Sequence, residues 1–315
     1  MRQAKQRARR PLADWLGPLV ILVVMGAGLS AISPYFLRPG NLSAVAVQTS
    51  CVAILAVAET LVIIAGGIDL AVGSVLALAG VSAAVLMSGG MPIPLACLVG
   101  LVCGLACGLV SGGLVTLGRM PPFIATLGVM GIARGAALIS SGGENVTSLP
   151  PAFSDLATTS WLGLPLPAGL AVVVAAAAHV MLTRTVLGRN VYAVGGNAEA
   201  ARLSGVPIRR VLVTLFALSG LLSGAAGLML TSRLSIGQPT AGMGYELDAI
   251  AAAVIGGTSL MGGQGSIPGT ILGAAIMGLL RNGCNLLHVP DFWQQVAIGA
   301  IIIIAVFCDQ FRRRK

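Results

Sequence analysis

The chain has 315 residues, 56% of them hydrophobic and only 9% charged. A soluble domain carries about 25% charged residues, so there are too few ionised groups here to cover a water-facing surface. Lys and Arg outnumber Asp and Glu by 19 to 10, but the basic residues gather beside apolar runs and aromatics are only 4%, which excludes a nucleic-acid surface and favours membrane anchoring.

The chain opens on a basic tail, residues 1–14, with Arg2, Lys5, Arg7, Arg9 and Arg10. The run 15–35 is uncharged and long enough for a crossing, which needs about 20 residues; it reads as an uncleaved first helix. Apolar runs follow at 44–65, 70–88, 93–117, 123–141, 168–183, 211–231, 249–264, 268–287 and 293–309, before a basic tail, 310–315. The prediction is an all-α, polytopic membrane bundle of about ten transmembrane helices forming one domain, 15–309, with short or broken Gly-rich segments. The 249–264 run is the weakest, being interrupted by Gly256-Gly257.

An even number of crossings puts both termini on one side, and both are basic, so that side is the cytoplasm. The segment 184–210, with Arg184, Arg189, Arg202, Arg209 and Arg210, then also lies inside. The loop 142–167 carries Glu144 and Asp155 without Lys or Arg and lies outside. Small residues recur at four-residue spacing (Gly104, Gly108 and Gly112; Gly131 and Gly135; Gly220 and Gly224; Gly269 and Gly273), the pattern of closely packed membrane helices. Gly66-Gly67-Ile68-Asp69-Leu70 resembles Gly256-Gly257-Thr258-Ser259-Leu260, and glycine-interrupted segments in matching places of two halves point to a transport path.

Charged residues inside apolar runs are few. Glu59 and Arg134 would each cost on the order of 3 kcal/mol at the bilayer centre, so each is either paired or faces a water-filled path. Asp69 sits at a Gly-rich break, where its ordinary role is to cap the free N–H groups of the next helix. Glu59, Asp69, Arg134, Gly256, Gly257 and Ser259 are the candidates for a translocation path. The six cysteines lie in apolar segments without metal-ligand spacing and read as packing. His179 and His288 are far apart, and no metal or cofactor site is expected. The two lysines, Lys5 and Lys315, do not follow a glycine, so a phosphate-binding G-x-x-x-x-G-K-[ST] loop is missing and ATP hydrolysis by this route is excluded. No catalytic residue is assigned.

In the segment 184–210, Asn197 is a suitable helix N-cap, Ala198 to Leu203 are helix formers, and Gly205 with Pro207 ends the helix. A compact surface helix presenting Glu199, Ala200 and Ala201 suits docking. Glu199-Ala200-Ala201 with Gly205 is similar to the E-A-A-x-x-x-G coupling motif of ATP-binding-cassette importer permeases. Further segments, in matching order from about residue 40, resemble the ribose-type monosaccharide permeases: Gly66 to Ser74, Ile124 to Gly128 with Ala133-Arg134-Gly135, Gly195-Gly196-Asn197 with Ala200 to Gly205, Gly256 to Leu260 with Gly262 to Ser266, and Phe292-Trp293-Gln294-Gln295.

This resemblance implies an inner-membrane permease subunit for a monosaccharide such as ribose. It further implies a second permease copy, identical or different, a separate cytoplasmic ATPase, and an extracytoplasmic sugar-binding protein. Gly195, Gly196, Asn197, Glu199, Ala200, Ala201, Arg202 and Gly205 would then form the coupling surface to the ATPase. The alternative is a secondary transporter or channel working without ATP, with Glu59 and Arg134 as its coupling pair; a membrane scaffold without transport would need a solid bundle.

Overall fold

A computed structural model describes residues 11–161 and 163–313. The basic cluster Arg2 to Arg10, Arg314 and Lys315 lie outside the described residues. Among the described residues thirteen helices are present: α1 Pro11–Ile32, α2 Pro39–Ile64, α3 Val72–Ser88, α4 Ile93–Thr116, α5 Pro122–Ser141, α6 Pro151–Thr158, α7 Leu166–Arg184, α8 Val186–Gly196, α9 Ala198–Leu203, α10 Ile208–Leu234, α11 Tyr245–Ile255, α12 Ile267–Leu286 and α13 Asp291–Arg313. The fold is all-α apart from two short antiparallel strands, β1 Ser160–Trp161 and β2 Leu164–Pro165. Proline opens α2, α4, α5 and α6 within the first turn, where its missing N–H has no intrahelical partner to lose.

Among the described residues, five helices, α2, α4, α5, α7 and α10, are long and apolar enough to cross a membrane. Shorter apolar stretches lie in α1, α3 and α13. The 249–264 run does not form one crossing helix. Its helix, α11, is 11 residues long and stops at Ile255, about 16 Å at ~1.5 Å per residue, and the chain continues through glycine-rich turns to α12. α13 runs on as far as Arg313.

α2 is the central pillar. Its most apolar window is 83% buried, against 22% for that of α4, and every residue from Ser50 to Ile64 is buried. One core cluster joins α2 to α10, α11 and α12; a second joins its C-terminal half to α8, α9 and α10. Two glycine seams bring backbones together. Gly104 and Gly108 on α4 lie against the carbonyls of Gly220 and Phe216 on α10, and Gly269 and Gly273 on α12 lie against Gly256 and Ala252. Gly131 and Gly135 on α5 have no neighbour within 4 Å of where a Cβ would stand, so that glycine pair packs nothing within this chain.

α2 and α11 end alike. The N–H of Gly66 donates to the carbonyl of Ile63 and that of Gly67 to Val62; the N–H of Gly257 donates to Val254 and that of Thr258 to Ala253. Each is a Schellman ending with glycine in the left-handed position, at φ 87° for Gly66 and 90° for Gly257. The structural match therefore pairs Gly66 with Gly257, one residue out of register with the sequence match of Gly66 to Gly256.

At the opposite end, Val146 and Gly237 exchange two backbone hydrogen bonds of 2.8 Å, and the Ser232 hydroxyl donates to the Phe153 carbonyl at 2.6 Å. These bonds tie the 142–165 segment to the end of α10 and to the 235–244 loop.

Candidate functional site

The segment 184–210 holds two helices where the sequence predicts one. Thr185 caps α8 by accepting the Gly188 N–H at 3.1 Å. Asn197 caps α9 by accepting the Ala200 N–H at 3.0 Å, at the predicted boundaries. Gly205, at φ 81°, closes α9, with its N–H donating to Arg202 and that of Val206 to Ala201. Ala201 is buried beside Val191, Val194 and Val211, while Glu199, Ala200, Arg202 and Gly205 face outward. Glu199 and Arg202 form a two-pronged ion pair at 2.6 and 3.0 Å. The Arg202 guanidinium holds the Glu199 carboxyl below its ordinary range, and Glu199 raises Arg202 in turn. Both side chains are exposed, so water screens the pair and it fixes the shape of α9 more than it stabilises the fold.

Gly195 points the other way. A Cβ there would stand 1.7 Å from the Ile64 carbonyl oxygen and 2.7 Å from the Gly263 nitrogen. The Gly263 N–H donates to that same Ile64 carbonyl at 2.8 Å, and the Tyr192 hydroxyl donates to the Gly265 carbonyl at 2.8 Å. Burial raises the Tyr192 phenol above its usual range, which keeps it a neutral donor. The end of α8, the end of α2 and the turn after α11 thus meet at one junction, one residue away from the surface helix α9.

The second polar centre is buried. Glu59 is wholly buried and accepts the Asp69 backbone N–H at 3.1 Å. Asp69 accepts the Ala71 N–H at 3.0 Å and the Ser219 hydroxyl at 2.6 Å. Thr126 of α5 accepts the Leu70 N–H and donates to the Ile68 carbonyl, both at 3.2 Å. The break between α2 and α3 is therefore held by α2, α5 and α10 together. Ser219 lies near the middle of α10, roughly 17 Å along it at ~1.5 Å per residue. Arg134 is elsewhere: its guanidinium donates to the carbonyls of Pro239 and Ala241 at 2.6 and 2.8 Å. Glu59 and Arg134 thus have different partners and do not form a pair. Ser259 is buried in the turn after α11, its N–H donating to the Gln264 carbonyl at 3.1 Å. Among the described residues, no group of three or more His, Cys, Asp or Glu is placed to hold a metal.

Residues 41–306 match the family described as branched-chain amino acid transport system / permease component. The chain is 44% identical to a ribose import permease protein of Haemophilus influenzae over 93% of its length and 92% of the relative's, and 45% identical to one of Bacillus subtilis over 94% and 92%. It is 39% identical to an L-arabinose ABC transporter permease protein of Azospirillum brasilense, over 95% of this chain and 88% of that one. The chain belongs to this permease family. No solved structure matches it.

In this permease, Gly196, Asn197, Glu199, Ala200, Arg202 and Gly205 of the predicted coupling residues are exposed on and around α9, whereas Gly195 and Ala201 pack inward. Of the predicted path residues, Glu59 and Asp69 come together, Gly256 and Gly257 end α11, and Arg134 holds the 239–241 carbonyls. Asp248 escaped the sequence reading. It is wholly buried and paired with Arg281 across α11 and α12 at 2.5 Å, with the Tyr245 ring 5.7 Å from the guanidinium. No local signal could have found it, because its partner lies 33 residues away and neither residue belongs to a recognised motif.

Proposed function

We propose that this permease is the membrane subunit of an ATP-driven importer for a monosaccharide, with α9 as the surface that engages a separate cytoplasmic ATPase. The observation that carries the reading is the identity to ribose and L-arabinose permeases over more than nine-tenths of the chain. The junction at Gly195 supports the role of α9, since the end of α8, joined to α9 through Asn197, is in direct backbone contact with the breaks after α2 and α11.

About ten crossings with both termini cytoplasmic are part of the same proposal. α11 is too short to span the ~30 Å hydrocarbon core; together with the 256–266 segment, in which Gly256, Thr258, Ser259 and Gly262 are buried and Gly257, Met261 and Gln264 are exposed, it would make one discontinuous crossing. The bacterial inner membrane, a second permease copy and an extracytoplasmic sugar-binding protein complete the assembly. Glu59, Asp69, Gly256, Gly257 and Ser259 enter as the framework of the moving breaks, and Arg134 as the support of the 235–244 loop.

Co-expression with a candidate ATPase tests the docking surface. The two proteins are expected to co-purify and to hydrolyse ATP faster when a sugar-loaded binding protein is added. Ala200→Trp with Arg202→Ala, both on the exposed face of α9, should abolish that stimulation. Normal stimulation and transport by this double variant would remove α9 from the coupling role.

A further inference from the structure

A cavity of about 260 Å³ opens where α2, α10, the 235–244 loop and the start of α11 meet. It lies at the end of α10 that is tied to the 142–165 segment, the end proposed to face the binding protein. In a chain with 9% charged residues, its wall is unusually polar: Gln48 from α2, Arg233 from α10, Gln238 and Thr240 from the loop, and Tyr245 from α11. Gln238 donates to Thr240 at 3.1 Å. The Gln48 amide, the Arg233 guanidinium and the Tyr245 hydroxyl make no hydrogen bond to another described residue, so their donors and acceptors are open to the cavity or to water. The wall is also pre-formed, because Arg134 clamps the carbonyls of Pro239 and Ala241 behind it.

We infer that this cavity is a monosaccharide subsite, the first station of the sugar inside the permease. A sugar ring offers hydroxyls that both donate and accept around a compact body. Amide, guanidinium, hydroxyl and phenol groups converging from four elements match that chemistry. At ~30 Å³ per water, the volume corresponds to roughly eight or nine waters, the scale of one five- or six-carbon ring. The larger cavity of about 650 Å³, between α2, α7 and α12, is lined mainly by Ala, Val, Ile and Leu and offers a sugar little to bind. Arg134 is then a positioning residue, acting through the loop it holds. This inference rests on the importer reading and adds to it the place where the sugar is recognised.

The test is flux through the complete transporter in proteoliposomes, measured with labelled ribose, L-arabinose, D-allose and xylose, each with its binding protein. Gln48→Leu and Tyr245→Phe each remove a polar group at nearly constant shape, and Thr240→Val is a milder third variant. The Gln48→Leu, Tyr245→Phe double variant is expected to lose about tenfold in sugar moved per ATP, about threefold for each of the two hydrogen bonds removed, and to change the order of preference among the four sugars. Unchanged flux and order in all variants would overturn the inference and leave the importer reading standing. An equal loss for all four sugars, with the order kept, would also overturn it, since a purely structural defect does that. A wild-type transporter that moves none of the four sugars would remove the importer reading itself, and the subsite with it.

Discussion

Glu59 and Gly195 show how single residues carry the architecture. Glu59 is placed where water cannot reach it, and one of its oxygens accepts the N–H of Asp69. Replacing it with Leu strands that buried N–H and should cost about 1–3 kcal/mol, whereas Glu59→Gln keeps an acceptor and most of the stability; thermal unfolding of the purified permease in detergent would show the difference. Equal melting of the two variants would mean that the bond does not hold the break. Gly195 and Gly196 are neighbours with opposite surroundings. A methyl group at 195 collides with the Ile64 carbonyl, while at 196 it meets nothing within 4 Å. Gly195→Ala should therefore lower the melting temperature of the purified permease, and Gly196→Ala should leave it unchanged.

Among the elements, α11 and α12 are joined by the Asp248–Arg281 ion pair. Removing one partner of a buried pair costs about 3–5 kcal/mol, while an apolar pair in its place is often neutral. Arg281→Leu alone should thus destabilise the permease strongly, and the further change Asp248→Leu should recover much of the loss in the same melting measurement. A double variant no better than the single would show that the pair does not act as a unit. α9 obeys a different balance. Its Glu199–Arg202 pair is exposed, and because the Glu199 carboxyl is held below its usual range, the pair is charged at neutral pH and is lost only as pH falls through that lowered value. Docking of the ATPase should accordingly show no step from this pair between about pH 6 and 8.

At the scale of the whole molecule, the helical class, five of the apolar spans and the boundaries of α9 were legible in the sequence, because length, hydropathy and cap residues are local signals. The sequence could not show that α11 stops at Ile255, since Gly256-Gly257 is compatible with either a kink or an end. Nor could it show that Gly195 turns inward, because the carbonyl that excludes a side chain there belongs to Ile64, far away in the chain. The buried centre was half legible: Glu59 and Asp69 stood out as charges in apolar runs, but their shared hydrogen bond required the fold. The central claim, a sugar permease driven by a separate ATPase, is tested most directly by labelled-sugar uptake into proteoliposomes with the ATPase, ATP and binding protein present or withheld one at a time. Uptake is expected only when all three are present. Sugar accumulation by the permease alone, driven by an ion gradient, would contradict it.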